Sequence, residues 1–156
     1  MHRYLRLIVL GIVGAVPAAT LAEEPARVPA EELRPAIAKS LPLLLKGAIG
    51  HRENRTCFAC HNQGLPILAL TAARARGFEI DEAEQKKQLE FIAEFLGKNR
   101  ESYLQGKGQG GQADTAGYAL VTLAAGEWKP DETTAAVAEY LLLRNKDLDH
   151  WSNVST

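Results

Sequence analysis

The sequence predicts an all-α fold. Three observations lead there. Apolar residues recur with a 3.6-residue period in one segment after another. No stretch alternates convincingly with period two. Prolines and acidic capping residues stand at the starts of these segments, and glycines stand at their ends. The chain has 156 residues, one domain's worth, and its 46% apolar content is enough for a packed core. Its formal net charge is −1 and no basic stripe stands out, which argues against a nucleic-acid partner.

The chain begins with a processing segment rather than a fold element. His2, Arg3 and Arg6 form a positive start, Leu7 to Val16 is an apolar run, and Pro17 to Ala22 is rich in small residues. That is the three-part layout of a secretory signal peptide over residues 1–22, with a cut after Ala22. The apolar run is shorter than the roughly twenty residues a spanning helix needs. No stable membrane span is expected after cleavage, although an uncleaved anchor or a buried helix stays open. Cleavage removes Arg3 and Arg6 and no acid, which takes the formal charge from −1 to −3. Residues 23–30, with Pro25 and Pro29, read as a linker. Residues 31–151 read as a single helical domain and residues 152–156 as a tail.

The first helix is expected over 31–48, where Leu33, Ile37, Leu41, Leu44, Leu45 and Ala48 keep the period and Glu31 and Glu32 occupy the first turn. Pro42 should kink it, unless Ser40 caps a second short helix there. Gly50 to Gly64 is polar and reads as a connection. Pro66 opens a helix to about Arg76, with Leu65, Leu68, Ala69, Ala72 and Ala73 on one face and Gly77 as its stop. The third helix is expected to be the longest. Asp81 with Glu84 has capping-box spacing, and Leu89, Ile92, Phe95, Leu96, Tyr103 and Leu104 supply its buried side. Gly106 to Gly111 lacks the Gly-Lys-Ser/Thr ending of a phosphate-binding loop, and no strand precedes it, so it reads as a plain loop.

Residues 114–125 form the next helix, with Tyr118, Leu120, Val121 and Leu123 apolar and Gly126 as stop. Asp131 caps a last helix through Arg144, with Val137, Tyr140, Leu141 and Leu143 inward. The short link between these two implies an antiparallel pair.

The chemistry concentrates in Cys57-Phe58-Ala59-Cys60-His61, which contains both cysteines of the chain. In an exported protein two cysteines can form a disulfide. A redox-active pair at this spacing usually sits in a βαβ unit, and none is visible. The third reading is attachment of c-type haem. Two intervening residues space the thiols to meet the two vinyl groups on one porphyrin edge, and the adjacent His61 becomes the proximal iron ligand. Such attachment happens outside the cytoplasm, in agreement with the signal segment. A zinc site built from Cys57, Cys60, His61 and His51 is a further option, though adjacent Cys60 and His61 make awkward tetrahedral ligands.

Met1 is the only methionine and leaves with the signal, so the His/Met ligation of ordinary cytochromes c is excluded and a lower potential is expected. For the sixth ligand, His51 and His150 remain; otherwise the iron is five-coordinate or takes a lysine, water or another group. The sequence thus points to a periplasmic or otherwise exported protein with one covalent haem c at Cys57 and Cys60 and its iron on His61. Electron transfer or redox sensing with a redox partner protein is the expected role. A peroxidase-like enzyme ranks lower, because no distal acid–base pair is assignable.

The runs Ser40 to Lys46, Thr56 to Gln63, Leu65-Pro66 and Ala72 to Phe78 resemble a family of exported bacterial proteins. Those proteins carry a Cys-x-x-Cys-His motif inside helical repeats similar to prenyltransferase and squalene-cyclase repeats. Asp114 to Leu120, Tyr140 to Arg144 and Trp151 are similar to the same repeats. A weak internal match, Ile37 to Leu43 against Val137 to Leu143, points the same way. The resemblance covers about residues 31–151, and only the haem motif in it is chemically specific.

It implies antiparallel helix pairs arranged as a partial α/α toroid, with the haem-binding loop between helices. The chain is too short for a full toroid. Asp147-Leu148-Asp149-His150 is the nearest approach to a cyclase's acidic motif and reads as a helix-end turn. No zinc site or diphosphate pocket of a prenyltransferase is visible, so neither activity is carried over. An incomplete toroid would leave an apolar helix face for a second copy or a partner chain. The alternative function is a helical-repeat binding module without catalytic activity, in which the cysteines are structural.

Overall fold

The computed structural model describes residues 28–146 together with Asp149 and Trp151, and it is all-helical, with no strand among the described residues. Helix α1 spans Ala30–Asn54, α2 Leu65–Arg74, α3 Glu82–Lys98, α4 Arg100–Leu104, α5 Gln112–Ala125 and α6 Glu132–Arg144. A π-helical turn, Cys60–Gly64, leads into α2. The signal segment 1–22, most of the linker, His150 and the tail 152–156 lie outside the described residues. No described helix is long and apolar enough to cross a membrane.

Helix α1 takes one of the two expected forms and differs from expectation in two ways. It runs through both Pro35 and Pro42 as one helix, and the Ser40 hydroxyl donates back to the Ala36 carbonyl (2.9 Å) instead of capping a second helix. It also continues six residues past Ala48, to Asn54, because no breaker follows Gly50. With 25 residues, α1 rather than the third helix is the longest. Half of its apolar stripe stays in solvent. Leu41 and Ala48 are buried, whereas Leu33, Ile37 and Leu44 are exposed.

Helix α2 buries a face rotated from the expected one. Ala73 is buried as expected and Leu68 and Ala69 are half-buried, but Pro66, Ile67 and Leu70 point inward while Leu65 and Ala72 are exposed. Large apolar residues surround most of this helix, and tertiary contact chooses among its sides. Gly77 does end the segment. Its φ of +74° is the left-handed conformation that glycine adopts without strain, and Phe78 N–H closes back on the Ala73 carbonyl at 3.1 Å.

The caps of α3 and α6 appear as expected. Asp81 accepts from Glu84 N–H (2.9 Å), and Asp131 accepts from Thr134 N–H (2.8 Å). Glu84 does not complete a capping box, because its carboxylate turns inward to Arg52, Gln88 and Lys87. The third helix breaks at Asn99 into α3 and α4, and Leu104 ends up exposed.

The main core joins α3, α4, α5 and α6 through Leu89, Ile92, Leu96, Tyr103, Leu123, Val137 and Tyr140. Ile67 of α2 and Phe58 of the connecting loop belong to the same cluster. Within α6, Val137 and Tyr140 are inward and Leu141 packs against the core, but Leu143 is 56% exposed. A second, smaller cluster of Leu41, Leu70 and Ala73 ties α1 to α2, with Leu45, Phe78 and Ile80 against it.

Candidate functional site

The cysteine–histidine motif lies between α1 and α2, at the point where the chain crosses from the small cluster to the main core. Arg55 is extended and residues 55–59 form a non-helical link. Phe58 determines how this link sits. Its ring is 6% exposed and packs 6.4 Å from the Phe95 ring, centroid to centroid. A buried aromatic contributes several kcal/mol of burial, on the order of 3. That anchor holds the loop against the core and leaves Cys57 on the outer surface.

Cys57 is exposed and Cys60 is half-buried against the core; both thiols are free. Burial pushes the Cys60 thiol above its ordinary value, and the Asp114 carboxylate adds to the effect against a backbone hydrogen bond that lowers it. His61 is exposed and makes no hydrogen bond with a described residue. The motif thus places two free thiols and an uncommitted imidazole on one short segment.

The turn beneath these groups is tightly determined. Gln63 is fully buried, and its Oε1 accepts from Ala59 N–H at 3.1 Å, while its Nε2 has no partner among the described residues. Gln63 N–H and Gly64 N–H both close on the Ala59 carbonyl, at 2.9 and 3.3 Å. Gly64 is where the turn meets α5. A Cβ placed there would lie 3.0 Å from Thr122 Oγ1 and 3.4 Å from the Phe58 ring. Exposed apolar side chains also occur on the elements that meet at this junction. Leu65 follows Gly64, and Tyr118 and Val121 lie within a turn of Thr122 on α5; all three are exposed.

His51 sits on the last turn of α1, not in a loop. Its Nε2 lies 2.8 Å from the Cys57 carbonyl oxygen and its Nδ1 lies 3.3 Å from Asn62 Nδ2. A carbonyl only accepts, so Nε2 carries the proton and Nδ1 receives the Asn62 amide hydrogen. Both ring nitrogens are therefore occupied, and neither offers a lone pair to a metal in this arrangement. The zinc set considered from the sequence is accordingly not assembled. No group of three or more His, Cys, Asp or Glu side chains able to hold a metal occurs among the described residues. His150, the other histidine considered as an iron ligand, lies outside the described residues.

Sequence reasoning missed Phe58, Gln63, Asn62 and the pair Arg52–Glu84. Only Phe58 carried a readable signal, as the one large apolar residue in a polar stretch. Arg52 Nη2 donates to Glu84 Oε1 at 2.9 Å and ties α1 to α3 just behind the motif. Burial alone would raise the Glu84 carboxyl, but hydrogen bonds from Gln88, Arg52 and Lys87 and the charge of Arg52 hold it below the usual carboxylate value.

The donor set fits a covalently held haem better than a bare ion. One histidine suffices as the protein's iron ligand, and both thiols are free for thioethers. Two open cavities lie elsewhere. Grooves of about 600 and 430 Å³ flank the first half of α1, sharing Leu41 and Phe78, and neither is lined by Cys57, Cys60 or His61. No family model, no curated protein and no solved structure matches this chain.

Proposed function

We propose that this is an exported, periplasmic monohaem c-type protein that works in electron transfer or redox sensing with a redox partner protein. Haem is attached through Cys57 and Cys60, and His61 is the proximal iron ligand. The observation that carries this reading is the placement of the motif: two free thiols, one exposed and one half-buried, and an unengaged His61 on one short segment held by Phe58 and Gln63. When bound, the haem supplies one-electron redox chemistry.

This chain's own residues then have distinct tasks. Phe58 anchors the loop, Cys57 and Cys60 tether the group, and His61 offers a nitrogen to iron. Leu65, Tyr118 and Val121 are exposed apolar side chains on the elements that meet at Gly64. The paired helices α5 and α6, joined through residues 126–131, are compatible with a partial α/α toroid, and the solvent-facing Leu33, Ile37, Leu43 and Leu44 of α1 with a partner chain or a second copy.

The test is pyridine haemochrome spectroscopy on full-length protein secreted alongside a haem-maturation system. A c-type spectrum is expected, lost on replacing Cys57 and Cys60 by serine. A colourless product overturns the reading. It would favour the second one, a helical-repeat binding module, for which the two open apolar grooves beside α1 are the supporting observation. Carbon monoxide added to the reduced protein then separates an open iron site, which binds it rapidly, from one closed by a second axial ligand.

A further inference from the structure

The motif is held from outside as well as from beneath. His51 reaches from α1 to both of its ends: Cys57 is the first residue of the motif, and Asn62 directly follows its last, His61. Among the described residues, the bond from His51 Nε2–H to the Cys57 carbonyl is the one hydrogen bond that reaches the backbone of residues 55–58. Cys60 needs no such help, because it opens the π-helical turn and is half-buried against the core. Cys57 lies in a bend of the non-helical link and is exposed, so its position depends on the Phe58 ring and on His51. His51 itself is well placed to fix it. It projects from a helix anchored to α3 by the Arg52–Glu84 ion pair, one residue further along.

We propose that His51 is a positioning residue for haem attachment, holding Cys57 where its thiol and that of Cys60 meet the two vinyl groups of one porphyrin together. The proposal rests on the haem reading above. In each attachment step the S–H bond adds across a vinyl double bond. Sulfur bonds to the carbon next to the ring, the proton goes to the terminal carbon, and no oxidant or reductant is consumed. Double attachment therefore depends on geometry alone, namely on both thiols being in reach of one porphyrin edge. Removing the His51 contact leaves Cys60 placed and frees Cys57.

The experiment compares wild type, His51→Ala and His51→Gln, each secreted at full length with a haem-maturation system. Two readouts count thioethers. The haemochrome band moves to longer wavelength when one vinyl group stays conjugated, and alkylation of the denatured holoprotein counts the thiols left free. His51→Ala is expected to raise the singly attached fraction about five-fold, the weight of one net hydrogen bond, with the free thiol mapping to Cys57. His51→Gln should restore double attachment, because its amide N–H can still donate to the Cys57 carbonyl. A merely structural role for His51 would lower the yield of both variants without changing the ratio of one to two thioethers. If His51→Ala is doubly attached like wild type, the positioning role is overturned and the haem reading stands. If wild type itself takes up no haem, both fall.

Discussion

Tyr140 and Tyr103 are the two largest fully buried side chains, their rings 5.3 Å apart in an edge-on arrangement, and neither hydroxyl has a partner among the described residues. A buried hydroxyl without a partner loses its hydration and gains nothing in exchange, at a cost of about 1–3 kcal/mol. Tyr140→Phe keeps the ring and deletes that cost. The expected result is unchanged or higher stability, by up to about 1 kcal/mol in urea unfolding, and a loss of more than that would mean the hydroxyl is satisfied. Glu84 gives the opposite case, a buried polar group that is well served. Its folded-state carboxyl lies below its ordinary value of 4.5, so the unfolded chain binds the extra proton. The stability it contributes is complete above 4.5 and disappears as pH falls through the lower, folded value. Acid titration of the unfolding midpoint should therefore show a fall in wild type that is shallower in Glu84→Gln.

At the scale of elements, helix starts are governed by local chemistry and helix faces are not. Asp131 takes the Thr134 N–H at 2.8 Å, receives the Trp128 indole N–H at 3.1 Å, and its own N–H donates to Thr134 Oγ1 at 2.8 Å. Asp131→Ala removes the cap of α6 and the indole's partner together. A loss of about 1 kcal/mol is expected by chemical denaturation, and an unchanged midpoint would show that α6 is held by packing alone. Caps of this kind are readable because donor and acceptor are three residues apart. The buried face of α2 was only partly readable: Ala73 is buried as expected, but Leu65, Ile67, Leu68 and Leu70 put large apolar groups on several sides of that helix. The inward turn of Glu84 was also hidden, because its partner Arg52 lies 32 residues away.

Over the whole molecule, packing is uneven. The main cluster binds α3, α4, α5, α6 and Phe58, whereas residues 30–40 of α1 are exposed throughout. What holds that end is Arg34, whose guanidinium lies 4.4 Å from the Phe78 ring centroid and donates to the carbonyls of Arg76 and Gly77. Amide hydrogen exchange should accordingly release residues 31–40 first, while Ile92, Leu96, Ala119 and Val137 exchange last. Equal protection along the whole of α1 would contradict this and would indicate that its apolar face is covered in solution.

By itself the sequence determined the all-helical class, the starts of α3 and α6, the stop at Gly77 and the Cys57–His61 motif. Each of these depends on residues within a few positions of one another, where periodicity, capping geometry and thiol spacing act. Only the tertiary structure decided which side of α2 is buried, that Phe58 is a core residue, and that His51 clasps the motif instead of standing free beside it. Those outcomes depend on which distant groups arrive at the same place, and a hydrogen bond or a buried ring is fixed only when its partner does.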